Sequence, residues 1–309
     1  MKRAGIIAGL ILIGLLMVVY MFIPSIITVG KTVSVKCIDK NVLQLLSNQQ
    51  GWAKWLPGEA VVDDSIHYNG YDLKLGAATY TSIQFEALYN GYLIHNEIGF
   101  VKDSITKTKV SLVSSIATGI NPITRFKKWK QMKQYETFIN QLLNRFISFA
   151  EEKKNIYGVD IKDGRIPDSL FISMRKTFNH FPTSTEVYEM VDKLHTYTIT
   201  RNAKQVNAPM MHLEQLDNHH FEIMVALPID KVIENEGIFS FKQMVKGNTL
   251  IAEVIGGRAS IDAGLKALEQ FKSDYQFTSP AISFELMITD RRAEPDTAKW
   301  VTRLYYPIF

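Results

Sequence analysis

Hydrophobic residues follow different periodicities along the chain, and each periodicity predicts a different kind of element. Residues 5–23 are apolar and uncharged, whereas residues 28–118 alternate between apolar and polar positions in short runs. Residues 127–153 place apolar side chains three and four positions apart, which is the spacing of one helix face. Residues 154–309 combine short apolar strands with two helical segments. The pattern predicts an α+β protein behind an N-terminal transmembrane helix.

The apolar segment 5–23 predicts a single-pass membrane anchor within residues 1–27. At about 1.5 Å per residue, its length nearly matches a hydrocarbon core of about 30 Å. A secretory signal peptide also begins with basic residues such as Lys2 and Arg3. The apolar run is longer than a usual signal core, and no clean small-x-small cleavage site follows it. An uncleaved anchor, with the lipid bilayer as a partner, is therefore the favoured interpretation.

The charges on either side of this segment predict its orientation. Lys2 and Arg3 precede it, and Lys31, Lys36 and Lys40 follow, so the basic residues are nearly balanced. Because the N-terminal tail is short and basic, we expect it in the cytoplasm and the folded domains outside.

A second feature of the segment concerns its contacts with other helices. Gly5 and Gly9 form a small-xxx-small pattern, which predicts a weak homodimer through this helix.

The region that follows predicts a curved antiparallel sheet around a long helix. Strand-like runs at 65–74, 79–89, 92–101 and 107–118 are separated by turn residues, and Asn90-Gly91 is a strong two-residue hairpin signal. The helix beyond them carries a broad apolar stripe that needs a concave partner. The stripe consists of Trp129, Met132, Tyr135, Phe138, Leu142, Phe146 and Phe149.

This order of elements resembles the SRPBCC or START-like helix-grip family over residues 28–153. The local match is a strand followed by a helix that ends in Trp52-Ala-Lys-Trp55-Leu-Pro57, and the closing helix from Lys127 to about Lys153. The resemblance implies a hydrophobic cavity between the sheet and the long helix. Bulky side chains on the helix could instead fill that cavity, so both alternatives stay open. These side chains are Trp129, Tyr135, Phe138 and Phe146.

The last part of the chain contains a duplicated pattern. Pro209–Glu214 is followed by Phe221–Pro228, and Pro280–Glu285 is followed by Trp300–Pro307. Both copies separate Pro from Glu by five positions and the aromatic residue from the second Pro by seven. Each copy follows an apolar strand and a helical stretch. A duplicated β-α-β-β unit predicts a pseudo-symmetric sheet in residues 154–309, with a ligand cleft at its seam.

This half resembles the GyrI-like family, the effector-binding domain of AraC-type regulators, over residues 156–309. The resemblance rests on the duplicated unit, on Pro280–Glu285 and on the C-terminal Lys299–Ile308. It implies that a strand glutamate of the second module faces the cleft and pairs with cationic, aromatic ligands. Glu285 occupies the matching position, and Glu214 is its counterpart in the first copy.

The strand around Glu285 is apolar on both faces, so an unpaired carboxylate there would be costly. A bound cation is one partner that would compensate it. Arg303, on the neighbouring predicted strand, is the structural alternative. Aromatic rings that could stack on a cation belong to Trp300, Tyr305, Phe284 and Tyr275, although core packing explains most of them equally well.

Composition and motifs exclude several kinds of chemistry. Cys37 is the single cysteine, so no intramolecular disulfide or cysteine metal cluster can form. We expect no metal site, because His219 and His220 are adjacent and need not converge with His212. We expect no cofactor, because the nucleotide-binding glycine spacings are absent. The net charge of +4 and the short basic run 125–130 predict no nucleic-acid partner.

Together these patterns predict a membrane-anchored protein that binds a small hydrophobic or cationic molecule in its C-terminal cleft. Two alternatives remain. Some GyrI-like proteins are hydrolases, so Glu285 could act as a general base in the same cleft. The chain could also be a membrane-tethered interaction protein whose two cavities are closed. Binding without catalysis is favoured over either.

Overall fold

The computed structural model describes residues 14, 16–56, 61, 62, 65–279 and 281–309. The chain is an α+β protein that divides into two compact units, Met1–Glu152 and Lys153–Phe309. The predicted anchor falls largely outside the described residues, as do Gly5 and Gly9. Residues 16–22 are helical, and no helix in the described part has the length and apolar character needed to cross a membrane. The anchor therefore stays a prediction.

The first unit is one antiparallel sheet with a long helix on one face. Its sheet has the strand order β1-β7-β6-β5-β4-β3-β2. Its elements are β1 (Ile26–Val35), α1 (Asp39–Leu46), α2 (Gln49–Trp55), β2 (Val61–Val62), β3 (Ser65–Tyr68), β4 (Tyr71–Ala78), β5 (Ser82–Tyr89), β6 (Tyr92–Ser104), β7 (Lys107–Ala117) and α3 (Pro122–Ala150).

Local sequence signals explain the main boundaries of this unit. Asn90 and Gly91 both have positive φ, 48° and 75°, and join β5 to β6 in the predicted two-residue hairpin. The long helix α3 begins earlier than the predicted Lys127. The Asn121 side chain caps it by accepting hydrogen bonds from two backbone N–H groups, and Pro122 occupies its first turn.

Aromatic rings fill the space between this sheet and α3. Tyr135, Phe138 and Phe146 of α3 are buried, and the Phe146 ring centroid lies 5.3 Å from that of Trp55 on α2. The Tyr135 hydroxyl donates to Asn96 Oδ1 at 2.9 Å, so the buried amide is satisfied. The structure thus favours the packed alternative over an open cavity. Trp129, the fourth of the bulky side chains considered from the sequence, is 37% exposed and does not share in this filling.

The second unit is an eight-stranded antiparallel sheet with the order β12-β9-β11-β10-β14-β15-β13-β8. Its elements are α4 (Lys153–Tyr157), β8 (Ile161–Arg165), β9 (Leu170–Phe178), α5 (Ser184–Thr200), β10 (Met210–Gln215), β11 (Phe221–Pro228), β12 (Ser240–Gln243), β13 (Asn248–Ile255), α6 (Arg258–Asp274), β14 (Phe284–Met287), a 3₁₀ turn (Thr297–Lys299) and β15 (Val301–Ile308).

The central six strands of this sheet are arranged as two copies of one β-α-β-β unit. The order β9-β11-β10 is mirrored by β14-β15-β13, so β10 and β14 meet at the seam. Each copy contributes one long helix, α5 or α6, which packs on its own strands. This arrangement is the predicted pseudo-symmetric sheet.

The ladder registers correct the predicted equivalence of Glu214 and Glu285. Superposing the strand-ending prolines of β11 and β15 makes Val225 equivalent to Leu304. Val225 pairs with Met211, and Leu304 pairs with Glu285. Met211 is therefore the structural counterpart of Glu285, and the two pair directly across the seam. Glu214 lies three residues further along β10 and is exposed.

The contact between α1 and α2 gives a prediction about stability. A Cβ on Gly51 would lie 2.5 Å from the carbonyl oxygen of Leu45 and 2.6 Å from that of Gln44. Replacing a helical Gly with Ala ordinarily stabilises a protein by about 1 kcal/mol. For Gly51→Ala we expect the opposite sign, a loss of about 2 kcal/mol, because the backbone must move.

Urea denaturation followed by tryptophan fluorescence measures this change. The matched control Gln50→Ala, at an exposed position of the same helix, should change the free energy of unfolding by less than about 0.5 kcal/mol. A Gly51→Ala protein as stable as the wild type would contradict the packing described for α1 and α2.

Candidate ligand-binding cleft

A cleft of about 330 Å³ lies where the N-terminal ends of α5 and α6 approach the seam of the second sheet. Its walls are mainly apolar, and two arginines, Arg258 and Arg291, also line it. The apolar part of the lining includes Val187, Met211, Leu213, Ile223, Ile261 and Trp300. A concave apolar surface with a few convergent polar groups is the usual character of a small-molecule site.

The two helices begin at the cleft in different ways. Thr183 caps α5 and forms a capping box with Glu186, which satisfies the backbone N–H groups of these two residues. The α6 helix begins after Gly257, which provides no side-chain cap. Gly256 before it adopts a φ of +128°, a conformation that L side chains rarely adopt. The first turn of α6 therefore presents less fully satisfied N–H groups beside the cleft.

Glu285 lies under the cleft at the centre of the sheet. Its side chain is 2% exposed, on a strand flanked by β10 and β15. Its Oε1 accepts a hydrogen bond from Arg258 Nη1 at 2.6 Å. Its Oε2 lies 3.7 Å from Arg291 Nη2 and has no hydrogen-bond partner among the described residues. The carboxylate is thus paired with two guanidinium groups that stand between it and the cleft.

The positive charge of Arg258 is balanced by two neighbouring carboxylates. Besides Glu285, it donates from Nε to Asp262 Oδ1 at 2.8 Å. Burial lowers the pKa of Arg258, but the hydrogen bonds and charges of Asp262 and Glu285 outweigh burial and raise the pKa overall. Arg258 is therefore a firmly charged group that bridges α6 and β14.

Arg291 is more deeply buried and less completely paired. Its side chain is 7% exposed, and its Nη2 donates to Thr302 Oγ1 at 3.2 Å. Its guanidinium carbon lies 4.8 Å from the Trp300 ring centroid, and its backbone N–H donates to the Tyr188 hydroxyl. Burial lowers the pKa of Arg291 despite the opposing attraction of Glu285. These contacts fix the side chain at the cleft while leaving much of its charge uncompensated.

The structure brings only two of the five predicted ligand-binding residues to this site. Trp300 lines the cleft, and Glu285 lies beneath its arginines. Phe284 and Tyr305 stack on each other, with ring centroids 4.9 Å apart, on the other face of the sheet. Neighbouring residues of a strand point to opposite faces, so Phe284 cannot share a face with Glu285. Tyr275 packs on Phe271 at the end of α6.

Glu285 does form structural ion pairs, but Arg303, the partner considered from the sequence, is not one of them. Arg303 pairs instead with Glu253 of β13, at 2.9 Å on the surface. Arg303 is adjacent to Leu304, the residue opposite Glu285, so it points to the other face. Arg258 and Arg291 were not predicted. One follows Gly256-Gly257 and the other lies in the loop after β14, and no sequence spacing links them.

The first unit has a larger concavity, of about 400 Å³, with a different character. It lies on the sheet face that carries exposed polar and charged side chains, including Lys74, Gln84, His95 and Glu97. His95 pairs with Glu86, and both side chains are about half exposed. Exposed pairs of this kind contribute little to stability, and small-molecule sites are mostly lined by apolar side chains. The cleft of the second unit is therefore the better candidate site.

No protein-family model matches the chain, and no curated protein matches it. Similar solved structures cover parts of it. A chain of the EcmrR–DNA complex has 14% identity and a TM-score of 0.44, covering 62% of this chain and 72% of its own. SAV2435 bound to tetraphenylphosphonium has 10% identity and a TM-score of 0.32, covering 48% and 93%. The Zhui aromatase/cyclase from Streptomyces sp. R1128 has 16% identity and a TM-score of 0.29, covering 41% and 95%.

The description of each unit rests on the topology of this chain. One of these matches corrects an expectation. We predicted no nucleic-acid partner, but the similar chain in the EcmrR–DNA complex belongs to a protein bound to DNA. That prediction is contradicted and is withdrawn.

The burial of Glu285 gives a prediction about the stability of the second unit. Glu285→Gln removes the charge that the two arginines share, so we expect the free energy of unfolding to fall by about 2 kcal/mol. The control is Glu253→Gln, which removes an exposed pairing with Arg303. That change should cost less than about 1 kcal/mol. Urea denaturation followed by circular dichroism compares the two, and equal, small losses would show that the buried cluster is not stabilising.

Proposed function

We propose that the second unit binds a small amphipathic molecule in the cleft at the seam. The observation that carries the proposal is the pairing of an apolar cavity with a fixed cluster of charges at one wall. Val187, Met211 and Ile223 would contact the apolar part of the ligand. Arg258 and Arg291, held by Glu285, would meet its polar part.

The size of the cleft limits the ligand. A volume of about 330 Å³ lies near the lower end of the range for small-molecule pockets, which begins at about 300 Å³. A ligand of one or two fused rings, with one polar substituent, suits this space. Trp300 is held by a hydrogen bond from its Nε1 to the Glu294 carbonyl oxygen, so its ring provides a rigid wall for such a ligand.

A cationic ligand paired with Glu285 would have to compete with the protein itself. Arg258 already donates to one carboxylate oxygen, and Arg291 lies beside the other. In the hydrolase alternative, Glu285 would have to activate a water molecule in the cleft. The same two arginines occupy its carboxylate, so no observation favours that alternative. The space in the cleft supports binding of a ligand over the alternative of two closed cavities.

Filling the cleft tests the proposal. Leu213 of β10 lines the cleft. Leu216 lies just beyond the end of that strand and is 52% exposed. We expect Leu213→Trp to weaken binding of 2-naphthalenemethanol at least about tenfold, because the larger ring occupies the space the ligand needs. The control Leu216→Trp should bind like the wild type.

Isothermal titration of the purified full-length protein measures the three affinities, and ligand-dependent thermal stability checks them. The proposal fails if Leu213→Trp binds the alcohol as tightly as the wild type. It also fails if the wild type binds no naphthalene compound, whether neutral, anionic or cationic.

A further inference from the structure

We infer that the cleft selects an organic acid, whose carboxylate is held by Arg291 and Arg258 while its apolar body lies against Trp300 and Ile261. This inference rests on the proposed function, because it names the chemical class of ligand for the same cleft. It differs from the expectation of a cationic ligand paired with Glu285.

The balance of charge at the cleft wall is the first argument. Two guanidinium groups line the cleft, and a single buried carboxylate, Glu285, is shared between them. The other nearby carboxylate, Asp262, is 55% exposed and binds Arg258 from its outer side. Arg258 therefore has two anionic partners. Within the described part of the chain, Arg291 has only Glu285, which it shares with Arg258 and approaches no closer than 3.7 Å. A carboxylate from a ligand would give Arg291 the close anionic partner that Glu285, at 3.7 Å, does not provide.

The hydrogen bonds of Arg291 are the second argument. A guanidinium has five N–H donors. Among the described residues, the Arg291 side chain donates one hydrogen bond, to Thr302 Oγ1, and its 3.7 Å approach to Glu285 is longer than a hydrogen bond. Only 7% of the side chain is exposed. No Arg291 nitrogen is among the fully buried atoms of the described residues that lack a partner, and the residue lines the cleft, so its remaining donors can be reached by a ligand. A planar carboxylate can accept two of them at once.

The start of α6 is the third argument. Its 17 residues run from Arg258 to Asp274, and the helix has no side-chain cap at Gly257, a residue of the cleft lining. The N-terminal end of a helix carries partial positive charge and free N–H groups, which favour anions. The equivalent end of α5 has a capping box, in which Thr183 and Glu186 accept hydrogen bonds from each other's backbone N–H groups. The positive field is thus on the side of the cleft where the two arginines lie.

A matched set of probes tests the inference. 2-Naphthoate, 2-naphthylmethylamine and 2-naphthalenemethanol share one apolar body and differ in charge. Isothermal titration of the full-length protein at neutral pH should show that naphthoate binds at least about tenfold more tightly than the amine or the alcohol. Added salt should weaken naphthoate binding more than alcohol binding.

Single substitutions assign the effect to the named side chains. Arg291→Gln should weaken naphthoate binding at least about tenfold but alcohol binding by less than about threefold, because only the carboxylate loses a charged pair of donors. An unchanged far-UV circular dichroism spectrum would show that the variant is folded. Arg291→Lys keeps the charge but loses the planar pair of donors, so an intermediate affinity is expected. Glu285→Gln should strengthen naphthoate binding. The control Arg303→Gln, on the other face of the sheet, should change nothing.

Two results would separate the inference from the function on which it rests. If the amine binds most tightly and Glu285→Gln abolishes that binding, the inference is overturned while the cleft remains a binding site. Equal affinities for all three probes, unaffected by Arg291→Gln, would overturn the inference in the same way. If no probe binds, both the inference and the proposed function fail.

Discussion

The carboxylate of Glu285, buried between Arg258 and Arg291, is the interaction on which the second unit depends. It lies on β14, a strand of four residues at the seam where the two copies of the duplicated unit meet. Only two residue pairs of the described ladder join β10 to β14, Met210 with Leu286 and Met211 with Glu285. The arginines extend this short connection to α6 and to the loop after β14. A charge at such a position is tolerated only because it is paired.

The seam also makes the cleft asymmetric. Met211 and Glu285 are structural counterparts, so one copy contributes an apolar side chain where the other contributes a charge. The helix of the first copy is capped by Thr183, whereas that of the second begins at Gly257 without a side-chain cap. A duplicated fold thereby acquires one apolar wall and one wall that carries two arginines. This difference is the physical basis for expecting an amphipathic ligand.

Patterns within single elements were sufficient to predict much of this architecture. The hairpin at Asn90-Gly91, the long helix of the first unit and the strand order implied by the repeat all depend on local spacing. Glu285 could be identified because a charge in an apolar strand is conspicuous. Trp300 could be identified because it precedes the last strand of the repeat.

Features that depend on ladder register or on distant loops could not be predicted in this way. Glu214 matches Glu285 in sequence spacing. The strand registers show instead that Met211 is the counterpart of Glu285 and pairs with it. Tyr305 lies on the far face for the same reason, since strand alternation fixes each side only once the pairing is known. Arg258 and Arg291 are 33 positions apart in the sequence numbering, and only the sheet order brings them together at one carboxylate.

The most direct test of the central claim is a ¹⁹F NMR titration of the protein labelled with 5-fluorotryptophan. The chain has four tryptophans, and Trp300 is the one that stacks on Arg291 in the cleft, whereas Trp52, Trp55 and Trp129 belong to the first unit. The Trp300 resonance is assigned by its loss in Trp300→Phe. The account predicts that 2-naphthoate shifts this resonance alone and that Arg291→Gln removes the shift. A Trp300 resonance that does not move at saturating naphthoate, while another tryptophan responds, would contradict it.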